Sequence, residues 1–357
     1  MQRRSFLLTP LLLAGLAPAA AAEAVRYPPA RRGTRLAFPR DHGAHPAFRH
    51  EWWYVTGALD APQRDMGFQL TFFRNRPGLA EGLSSPLAAS QILFAHAAVT
   101  LPGARLLHAE RAARANLGAG FSAVDCDVHI GAWQMRRHDT ADSESFRLKM
   151  QDASFAFDLR LTPTQPMLLQ GDGGWSQKSP RPDLASHYVS WPQLQVEGAL
   201  VLDGKRQPAR GRAWFDHEWS STVLAADSVG WDWIGINLND GGALMAFRIR
   251  DAAGASVHAH AALRDKDGRL QQFGADQVSF TPLRNWSSPR TGARYPVQME
   301  IRVGPYAVRT SPMLDDQELV SRRPQPISYW EGLVSVTGAL AGRGYLEMTG
   351  YASALNL

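Results

Sequence analysis

Hydrophobic and polar residues alternate with a period of two along most of the chain. Apolar side chains occupy alternate positions in the runs 66–72, 155–161 and 231–238, and again near the C-terminal end in 345–351. Successive side chains of a strand point to opposite faces of a sheet, so this period predicts strands that bury one face. Turn sequences that tolerate a positive φ angle separate such runs and favour hairpins. The turn candidates are Asp172-Gly173-Gly174, Asp203-Gly204, Asp240-Gly241-Gly242 and Asp267-Gly268.

Few segments of the chain show the periodicity of a helix. The best helix candidates are residues 105–117 and 313–321. No regular alternation of strands with long helices supports a parallel sheet. Short alternating strands joined by glycine-containing turns predict an all-β protein of the sandwich or barrel type, built from antiparallel sheets.

The chain has 357 residues, which is enough for about two domains. A boundary is predicted near residue 222, where the aromatic and charged run 214–219 gives way to Ser-Ser-Thr before a new strand-rich stretch. We therefore predict an N-terminal domain over residues 30–222 and a C-terminal domain over residues 223–357.

Residues 1–22 have the organisation of an export signal. Arg3 and Arg4 precede Ser-Phe-Leu, an apolar Leu/Ala run follows, and four alanines end the segment before Glu23. The order Arg-Arg-x-Phe-Leu resembles the twin-arginine signal of proteins that are exported folded, and an ordinary Sec signal with two arginines is the alternative. The apolar run has 16 residues, fewer than the ~20 that span a bilayer, so we expect no stable transmembrane anchor. We predict a periplasmic or secreted protein.

Composition and charge exclude several classes of protein. The basic residues are 34 Arg and 4 Lys, and they are scattered rather than clustered, so we expect no nucleic-acid partner. Removal of the leader takes away two arginines and lowers the formal charge from +5 to +3, which indicates no anionic partner. Cys126 is the only cysteine, so no intrachain disulfide can form. Its alternation with Val124, Val128 and Ile130 predicts that the thiol lies in the core.

Motifs of nucleotide and hydrolase chemistry are missing from the sequence. It contains no Gly-x-Ser-x-Gly elbow, no dinucleotide-binding glycine pattern and no Walker loop, so we expect no nucleotide cofactor. His217-Glu218 lacks the second histidine of a zinc-protease helix, because position 221 is serine. Two histidine groups lack a tight ligand spacing, so hydrogen-bonding histidines are the favoured interpretation and no metal is expected. These groups are His42, His45 and His50 with Asp41 and Glu51, and His258 with His260.

Tryptophan, tyrosine and acidic residues concentrate in three places. One interpretation is structural, with aromatic rings that fill the cores and acids that pair with arginine or with indole N–H groups. The other is a deep apolar cavity that holds a few acids and phenols, the usual composition of a site for lipophilic ligands. The candidate ligand-binding residues in these places are Glu51, Trp53, Tyr54, Trp219, Trp231, Trp233, Glu331, Tyr345 and Glu347.

The segment Asp216-His217-Glu218 is the candidate catalytic segment. Burial of charged groups beside indole rings costs several kcal/mol unless the charges are paired or protonated. On a strand, Asp216 and Glu218 point to one face and His217 to the other, so we assign the acid role to Asp216 or Glu218. His217 is left to orient water or another acid. The competing account is a buried salt-bridge network to arginines that pins the two domains together. The candidate faces for stabilising a cation are Trp231, Trp233 and Tyr345.

Several long motifs lie in a fixed order between residues 40 and 355. They are His45-Pro46, Glu51-Trp52-Trp53-Tyr54-Val55-Thr56-Gly57, Phe94-Ala95-His96, Trp214 to Trp219, Gly230 to Trp233, Ser288 to Gly292 with Tyr295-Pro296, and Tyr329 to Gly332 with Gly344 to Tyr351. In these motifs the chain resembles the AttH-like group of predicted secreted hydrolases, which is related to the carotenoid 1,2-hydratases. The resemblance implies two lipocalin-like (calycin) antiparallel β barrels side by side, the first ending near residue 222. It also adds His96 to the candidate ligand-binding residues.

Two functions compete on these grounds. As an enzyme, the protein would use a carboxylic acid with a pKa raised by desolvation to protonate an isolated C=C bond. Aromatic faces would stabilise the carbocation, and water addition or proton loss would complete hydration or isomerisation. As a non-catalytic carrier, it would shield a hydrophobic isoprenoid- or lipid-like molecule in the periplasm, beside the export-type ABC transporter that the AttH resemblance implies. Neither function needs a metal or nucleotide, so we expect no cofactor.

Overall fold

Strands dominate the part of the chain that the structure describes. The only helices there are two single-turn 3₁₀ helices, Arg40–His42 and Ala275–Gln277. The prediction of an all-β protein is therefore confirmed, while the segment predicted to be an export signal, residues 1–22, lies outside the described residues. The computed structural model describes residues 25–61, 65–83, 85, 88–140, 143–322, 324 and 326–355.

The first sheet has 13 antiparallel strands and uses the N-terminal part of the chain. Its strand order is β4-β3-β2-β1-β13-β12-β9-β8-β7-β6-β5, and β10 and β11 also pair with β12. The strands are β1 His50–Leu59, β2 Met66–Asn75, β3 Ile92–Leu101, β4 Arg105–Arg114, β5 Ala119–Phe121, β6 Asp127–Ile130, β7 Trp133–Thr140, β8 Ser143–Gln151, β9 Phe155–Thr162, β10 Leu168–Leu169, β11 Trp175–Gln177, β12 Ala185–Leu202 and β13 Lys205–Ser220.

The second sheet has 10 antiparallel strands from the remainder of the chain. Its order is β17-β16-β15-β14-β23-β22-β20-β19-β18, and β21 pairs with β22. The chain passes from the first sheet to the second between Ser220 and Ser228, beside the boundary predicted at residue 222. The strands are β14 Ser228–Leu238, β15 Ala243–Asp251, β16 Ser256–Arg264, β17 Leu270–Phe273, β18 Val278–Ser287, β19 Arg294–Val303, β20 Tyr306–Pro312, β21 Glu318–Ser321, β22 Ile327–Gly338 and β23 Gly342–Met348.

Each sheet curls around a hydrophobic core of its own, with the barrel or half-barrel shape that the resemblance implies. Trp53 and Phe215 belong to the first core, and Ile234 and Trp330 belong to the second. Cys126 is buried in the first core, as predicted. Val124 is 71% exposed, because it precedes the first residue of strand β6 and therefore does not share the inward face.

A third apolar cluster joins the outer faces of the two sheets. It contains Tyr54, Tyr188 and Trp214 from the first sheet and Trp233 and Tyr345 from the second. Four of these residues are direct chain neighbours of core residues, and the alternation of a strand turns them outward. The core neighbours are Trp53, Phe215, Ile234 and Leu346. The two barrels therefore stand back to back, and the aromatic residues between them are buried without entering either core.

Both helix candidates form other structures. Arg105–Arg114 is the edge strand β4, in which Leu107 and Ala109 turn towards the core while alternate neighbours face outward. Glu318–Ser321 is strand β21, and the residues before it form an irregular segment. The helix interpretation was wrong because pairing with a neighbouring strand outweighs the local helix propensity of an Ala-, Leu- and Arg-rich stretch. Within the described residues, no helix is long and apolar enough to cross a membrane.

Candidate active site

A row of polar side chains crosses the outer face of the first sheet. Register places His96 opposite Thr71, Thr71 opposite Tyr54, Tyr54 opposite Asp216, and Asp216 opposite Ser190. Directly opposite residues have Cβ atoms about 4.5–5.5 Å apart, so neighbours in this row are within contact distance. The row lies on five strands from two distant stretches of the chain, β1 to β3 in one and β12 with β13 in the other.

The second sheet presents a matching row to the first. Glu331 on β22 lies opposite Glu347 on β23, Glu347 lies opposite Trp233 on β14, and Trp233 lies opposite Phe247 on β15. Two glutamates thus stand side by side on an outer face that the first sheet covers. Glu331 is buried, and Glu347 is mostly buried.

A cavity of about 100 Å³ lies between the two rows. We call it the acid pocket, because its walls bring together carboxylic side chains from both sheets. Tyr54 and Tyr188 line it from the first sheet, and Trp231 and Trp233 line it from the second. Its acids are Asp216 and Glu218 from the first sheet and Glu331 and Glu347 from the second.

Asp216 accepts three hydrogen bonds from neutral donors. The Tyr188 hydroxyl donates to Oδ2 over 2.8 Å, while the Ser190 hydroxyl and the Trp214 indole N–H donate to Oδ1 over 2.5 and 2.7 Å. Burial raises the pKa of Asp216 to about 7, although these donors stabilise the carboxylate and limit the rise. Both oxygens therefore accept hydrogen bonds that favour the ionised form, which is the form that a base requires.

The two glutamates of the second sheet both have raised pKa values. Burial raises the pKa of Glu331 well above its usual range, and the negative charge of Glu347 raises it further. Burial also raises the pKa of Glu347 to about 8, with Asp216 and Glu218 adding to the shift and the Trp231 indole N–H opposing it. That indole donates to Glu347 Oε1 over 3.1 Å. Adjacent desolvated carboxyls cannot both ionise cheaply, so the pair carries at least one proton at neutral pH.

Glu218 has a different environment from Asp216, although both face the acid pocket. Its Oε1 lies 2.8 Å from the Lys178 ammonium and also accepts a hydrogen bond from the Ser186 hydroxyl. The same ammonium lies over the ring of Tyr188 at 4.9 Å and over that of Phe247 at 4.3 Å. Since Phe247 belongs to the second sheet, the Lys178–Glu218 ion pair joins the two barrels. The partner of Glu218 is thus lysine, where the salt-bridge account expected arginine.

Several buried polar atoms beside the acid pocket lack a hydrogen-bond partner within the described chain. They include Glu331 Oε1, the Tyr54 hydroxyl, both amide atoms of Gln69 and the Tyr345 hydroxyl. Tyr54 and Gln69 lie beside the Glu331 carboxyl, and polar contacts from them limit the rise of its pKa, although none of these contacts has ordinary hydrogen-bond geometry. Buried polar groups normally have partners, so unpaired ones at a cavity indicate where water or a ligand belongs.

Strand alternation places three of the predicted site residues away from the acid pocket. Trp53 and His217 lie on the inner face of the first sheet, where their rings stack at 4.9 Å, and Trp219 packs against His217 there. None of the three is in the pocket wall. The structure therefore separates His217 from Asp216 and Glu218, because one strand cannot point consecutive side chains into one cavity.

Glu51 contributes atoms to the pocket wall, but its carboxylate belongs to a polar network on the inner face. It accepts hydrogen bonds from Arg74 Nε at 2.7 Å, and its Oε1 lies 2.8 Å from His45 Nδ1 and 2.9 Å from His217 Nε2. Within the described residues, His45, Glu51 and His217 form the one group whose ligand atoms are close enough to share a metal ion. The Arg74 guanidinium already supplies a positive charge to this carboxylate.

The other predicted ligand-binding residues lie on the outer faces, between the barrels. Tyr345 packs in the apolar cluster between the sheets and is not itself one of the residues of the pocket wall. Residues that sequence reasoning missed include the phenols and hydroxyls that surround the acids, and strand pairing alone brings them there. The predicted residues in the wall are Glu51, Tyr54, His96, Asp216, Glu218, Trp231, Trp233, Glu331 and Glu347, and the missed residues are Thr71, Lys178, Ser186, Tyr188, Ser190 and Tyr329.

We expect the thermal stability of the protein to fall as pH rises from 7 to 9. The range starts at pH 7 because, below the ordinary pKa of histidine, the buried histidines with lowered pKa values act in the opposite direction. Carboxyls whose folded-state pKa is raised stabilise the fold below the ordinary pKa, and that contribution is lost as pH passes the folded value, about 7 for Asp216 and about 8 for Glu347. Glu347→Gln should remove part of this dependence and raise the melting temperature at pH 9 by ~5 °C or more, with little change at pH 5. Scanning calorimetry at both pH values measures the effect.

Glu300→Gln is the matched control, because Glu300 is partly exposed and its salt bridges to Arg302 and Arg309 lower its pKa. It should leave the pH dependence of the melting temperature unchanged. A lower melting temperature for Glu347→Gln than for the unmodified chain at pH 9 would contradict a neutral glutamate pair.

Comparison with known proteins places this chain in a family. A model of the AttH-like family matches residues 29–351. The crystal structure of an AttH protein from Nitrosomonas europaea is 43% identical, with a TM-score of 0.83 over 91% of this chain and 99% of that one. Kievitone hydratase from Nectria haematococca has a similar fold, with a TM-score of 0.66 at 16% identity over 93% of this chain and 97% of that one.

A sequence relative carries the same hydratase name. Kievitone hydratase from Fusarium solani subsp. phaseoli is 24% identical over 223 residues, which are 60% of this chain and 61% of the relative. The match thus spans about three fifths of that protein's length.

Proposed function

The chain belongs to the AttH-like family, and we propose that it is an exported acid catalyst that hydrates or isomerises a C=C bond at one end of a lipophilic molecule. The observation that carries the proposal is the Glu331–Glu347 pair, two adjacent buried carboxyls with raised pKa values in a cavity that Asp216 lines from the other sheet. A carboxylic acid with a raised pKa stays protonated at neutral pH and can act as a general acid, and stabilisation of the carbocation supplies the rest of the driving force for transfer to an alkene. The names of the hydratase relatives agree with this chemistry.

Glu331 is the proton donor in this proposal, and Asp216 is the base. Glu331 has a carboxyl oxygen with no partner, so its acidic proton can be directed into the acid pocket. Asp216 receives three hydrogen bonds, which favour its ionised form. The sequence pattern indicated Asp216 or Glu218 as the acid, whereas the acid proposed here is Glu331 on the facing sheet.

The reaction begins when the Glu331 proton moves to one alkene carbon. The other carbon becomes a carbocation, which the Trp231 and Trp233 faces and the Asp216 carboxylate stabilise. In hydration, a water oxygen attacks the cation and its surplus proton passes to Asp216. In isomerisation, Asp216 removes a proton from a neighbouring carbon instead, and the double bond moves.

The dimensions of the acid pocket favour a substrate that inserts one end. Its volume of about 100 Å³ is far below the roughly 300–1,000 Å³ of sites that enclose a drug-sized ligand. Phe73, Phe94 and Ile327 extend the wall with apolar surface that can contact the rest of a long molecule. A branched hydrocarbon end, such as that of an isoprenoid chain, fits this description.

The location of the reaction rests on the leader, residues 1–22. We propose that the protein acts in the periplasm or outside the cell, where it meets lipophilic molecules of the envelope. A twin-arginine route would deliver the barrels already folded. Replacement of Arg3 and Arg4 by lysine, followed by cell fractionation, tests the route.

Isotope labelling tests the proposed reaction directly. The purified chain is incubated in water labelled with a heavy oxygen isotope, with kievitone as one probe and lipophilic alkenes ending in a trisubstituted double bond as others. Mass spectrometry should detect a product that has gained one labelled water, or an isomer that gains deuterium in heavy water. Tight binding of these probes without any label in the recovered molecule would favour the carrier. Native mass spectrometry of protein from the periplasm would then identify the cargo.

A further inference from the structure

A second cavity occupies the other half of the interface between the barrels. It has a volume of about 490 Å³, and we call it the polar cleft, because Gln195, Arg210 and Asn239 are among its lining residues. Thr56, Trp214, Gly235, Leu333 and Tyr345 also line it. None of these eight residues is in the wall of the acid pocket.

The polar cleft begins one residue row beyond the acids. On each central strand, the pocket residue and the cleft residue are two positions apart and share a face. Two positions on a strand span roughly 7 Å, so a single layer of side chains separates the two cavities. The pairs are Tyr54 and Thr56, Asp216 and Trp214, Trp233 and Gly235, Glu347 and Tyr345, and Glu331 and Leu333.

The layer between the cavities contains the unpaired polar atoms. Thr56 and Tyr345 line the polar cleft, Gln69 lies opposite Thr56 on the neighbouring strand, and Gln69 also lies beside Glu331. The Thr56 hydroxyl has no partner within the described chain. The Tyr345 hydroxyl and both Gln69 amide atoms have none at ordinary hydrogen-bond geometry, although Tyr345 lies close to Thr100 and Gln69 close to Glu331. A buried water normally makes about three hydrogen bonds to such groups, so this series of atoms suits a short chain of waters.

The proposed reaction needs a connection of this kind. Each turnover leaves Glu331 without its proton and leaves Asp216 with one more, so both must exchange a proton with solvent before the next cycle. Hydration also consumes one water. The apolar substrate fills the acid pocket, which makes that side a poor route for water.

We infer that the polar cleft is the water and proton entrance of the acid pocket, with Thr56, Gln69 and Tyr345 as positioning residues that hold the waters. The inference rests on the proposed function, since it gives the neutral glutamate its supply of protons. Lipophilic substrate and water would then approach the acids from opposite ends of the interface. Trp214 links the two ends, because its ring lines the polar cleft while its indole N–H donates to Asp216 over 2.7 Å.

Plugging the polar cleft tests the inference without any substrate. Gln195 is exposed and lines the cleft, and Cys126 is buried, so Gln195→Cys would carry the single accessible thiol. After reaction with a bulky maleimide, the protein is transferred into heavy water and the carbonyl band of the protonated glutamates is followed by infrared spectroscopy. We expect the shift of this band to slow by about tenfold or more relative to the unlabelled variant.

Two further variants complete the test. Thr56→Val removes a hydroxyl at nearly constant volume, and it should slow the hydrogen–deuterium exchange of the carboxyl groups even when no maleimide is attached. Leu283 is exposed on β18, so Leu283→Cys labelled with the same maleimide should exchange at the normal rate. If the band of the protonated carboxyls exchanges as fast in the plugged protein and in Thr56→Val as in the unlabelled protein, the polar cleft is not the entrance. If no band of a protonated carboxyl is observed, the glutamates are not neutral, and both the proposed function and this inference are wrong.

Discussion

Replacement of Glu331 by glutamine is expected to lower the turnover of an alkene probe by ~10²–10⁴-fold, the usual contribution of a positioned general acid. Glutamine has nearly the shape and charge of the neutral glutamic acid, but its amide cannot deliver the proton. Probe affinity should therefore change little, and the melting temperature at neutral pH should not fall. Steady-state kinetics and calorimetry on one preparation measure all three quantities.

Glu318→Gln provides a matched control for the loss of a buried glutamate. Glu318 is buried on strand β21 and accepts hydrogen bonds from Tyr295, Thr291 and Ser288, away from the acid pocket. That variant should lose stability and keep its turnover below the melting transition. Full turnover in Glu331→Gln would show that Glu331 is not the proton donor. Glu347 would then be the next candidate to test.

Replacement of Glu218 by glutamine is expected to destabilise the protein by about 3–5 kcal/mol, because it leaves the buried Lys178 ammonium without its counter-charge. The loss should appear as a lower denaturation midpoint at neutral pH. Lys178→Met should destabilise for the same reason. The double variant should recover much of the loss, since it buries no unpaired charge, and a double-mutant cycle gives the coupling energy.

Asp216→Asn is the informative contrast on the same strand face. Its carboxylate accepts hydrogen bonds from neutral groups only, so its replacement should reduce turnover more than it reduces stability. Asp216 would then act in catalysis, while Glu218 would fasten the barrels together. Equal losses of stability in both variants, with turnover reduced only in proportion, would assign the two residues to a shared structural network.

Local sequence patterns determined much of the fold. The period of two along residues 66–72 and 155–161 identifies strands β2 and β9, because alternation is a property of a strand by itself. The same alternation within 216–218 is enough to separate His217 from Asp216 and Glu218. The long motifs identify the family of the chain, and the two-barrel architecture follows from family membership.

Tertiary structure decided which strands are neighbours, and with them the site. The hairpin of β22 and β23 places Glu347 opposite Glu331, but no local pattern indicates that Asp216 faces both from another barrel. Local helix propensity in residues 105–117 was misleading for the same reason, since the partner strand β3 is not part of the local pattern. Pairing and packing between distant segments set the burial of each carboxyl, and burial sets its pKa. The sequence by itself therefore determined the strands, their faces and the candidate acids, whereas only the packing of two sheets decided which acids stay protonated and which one pairs with lysine.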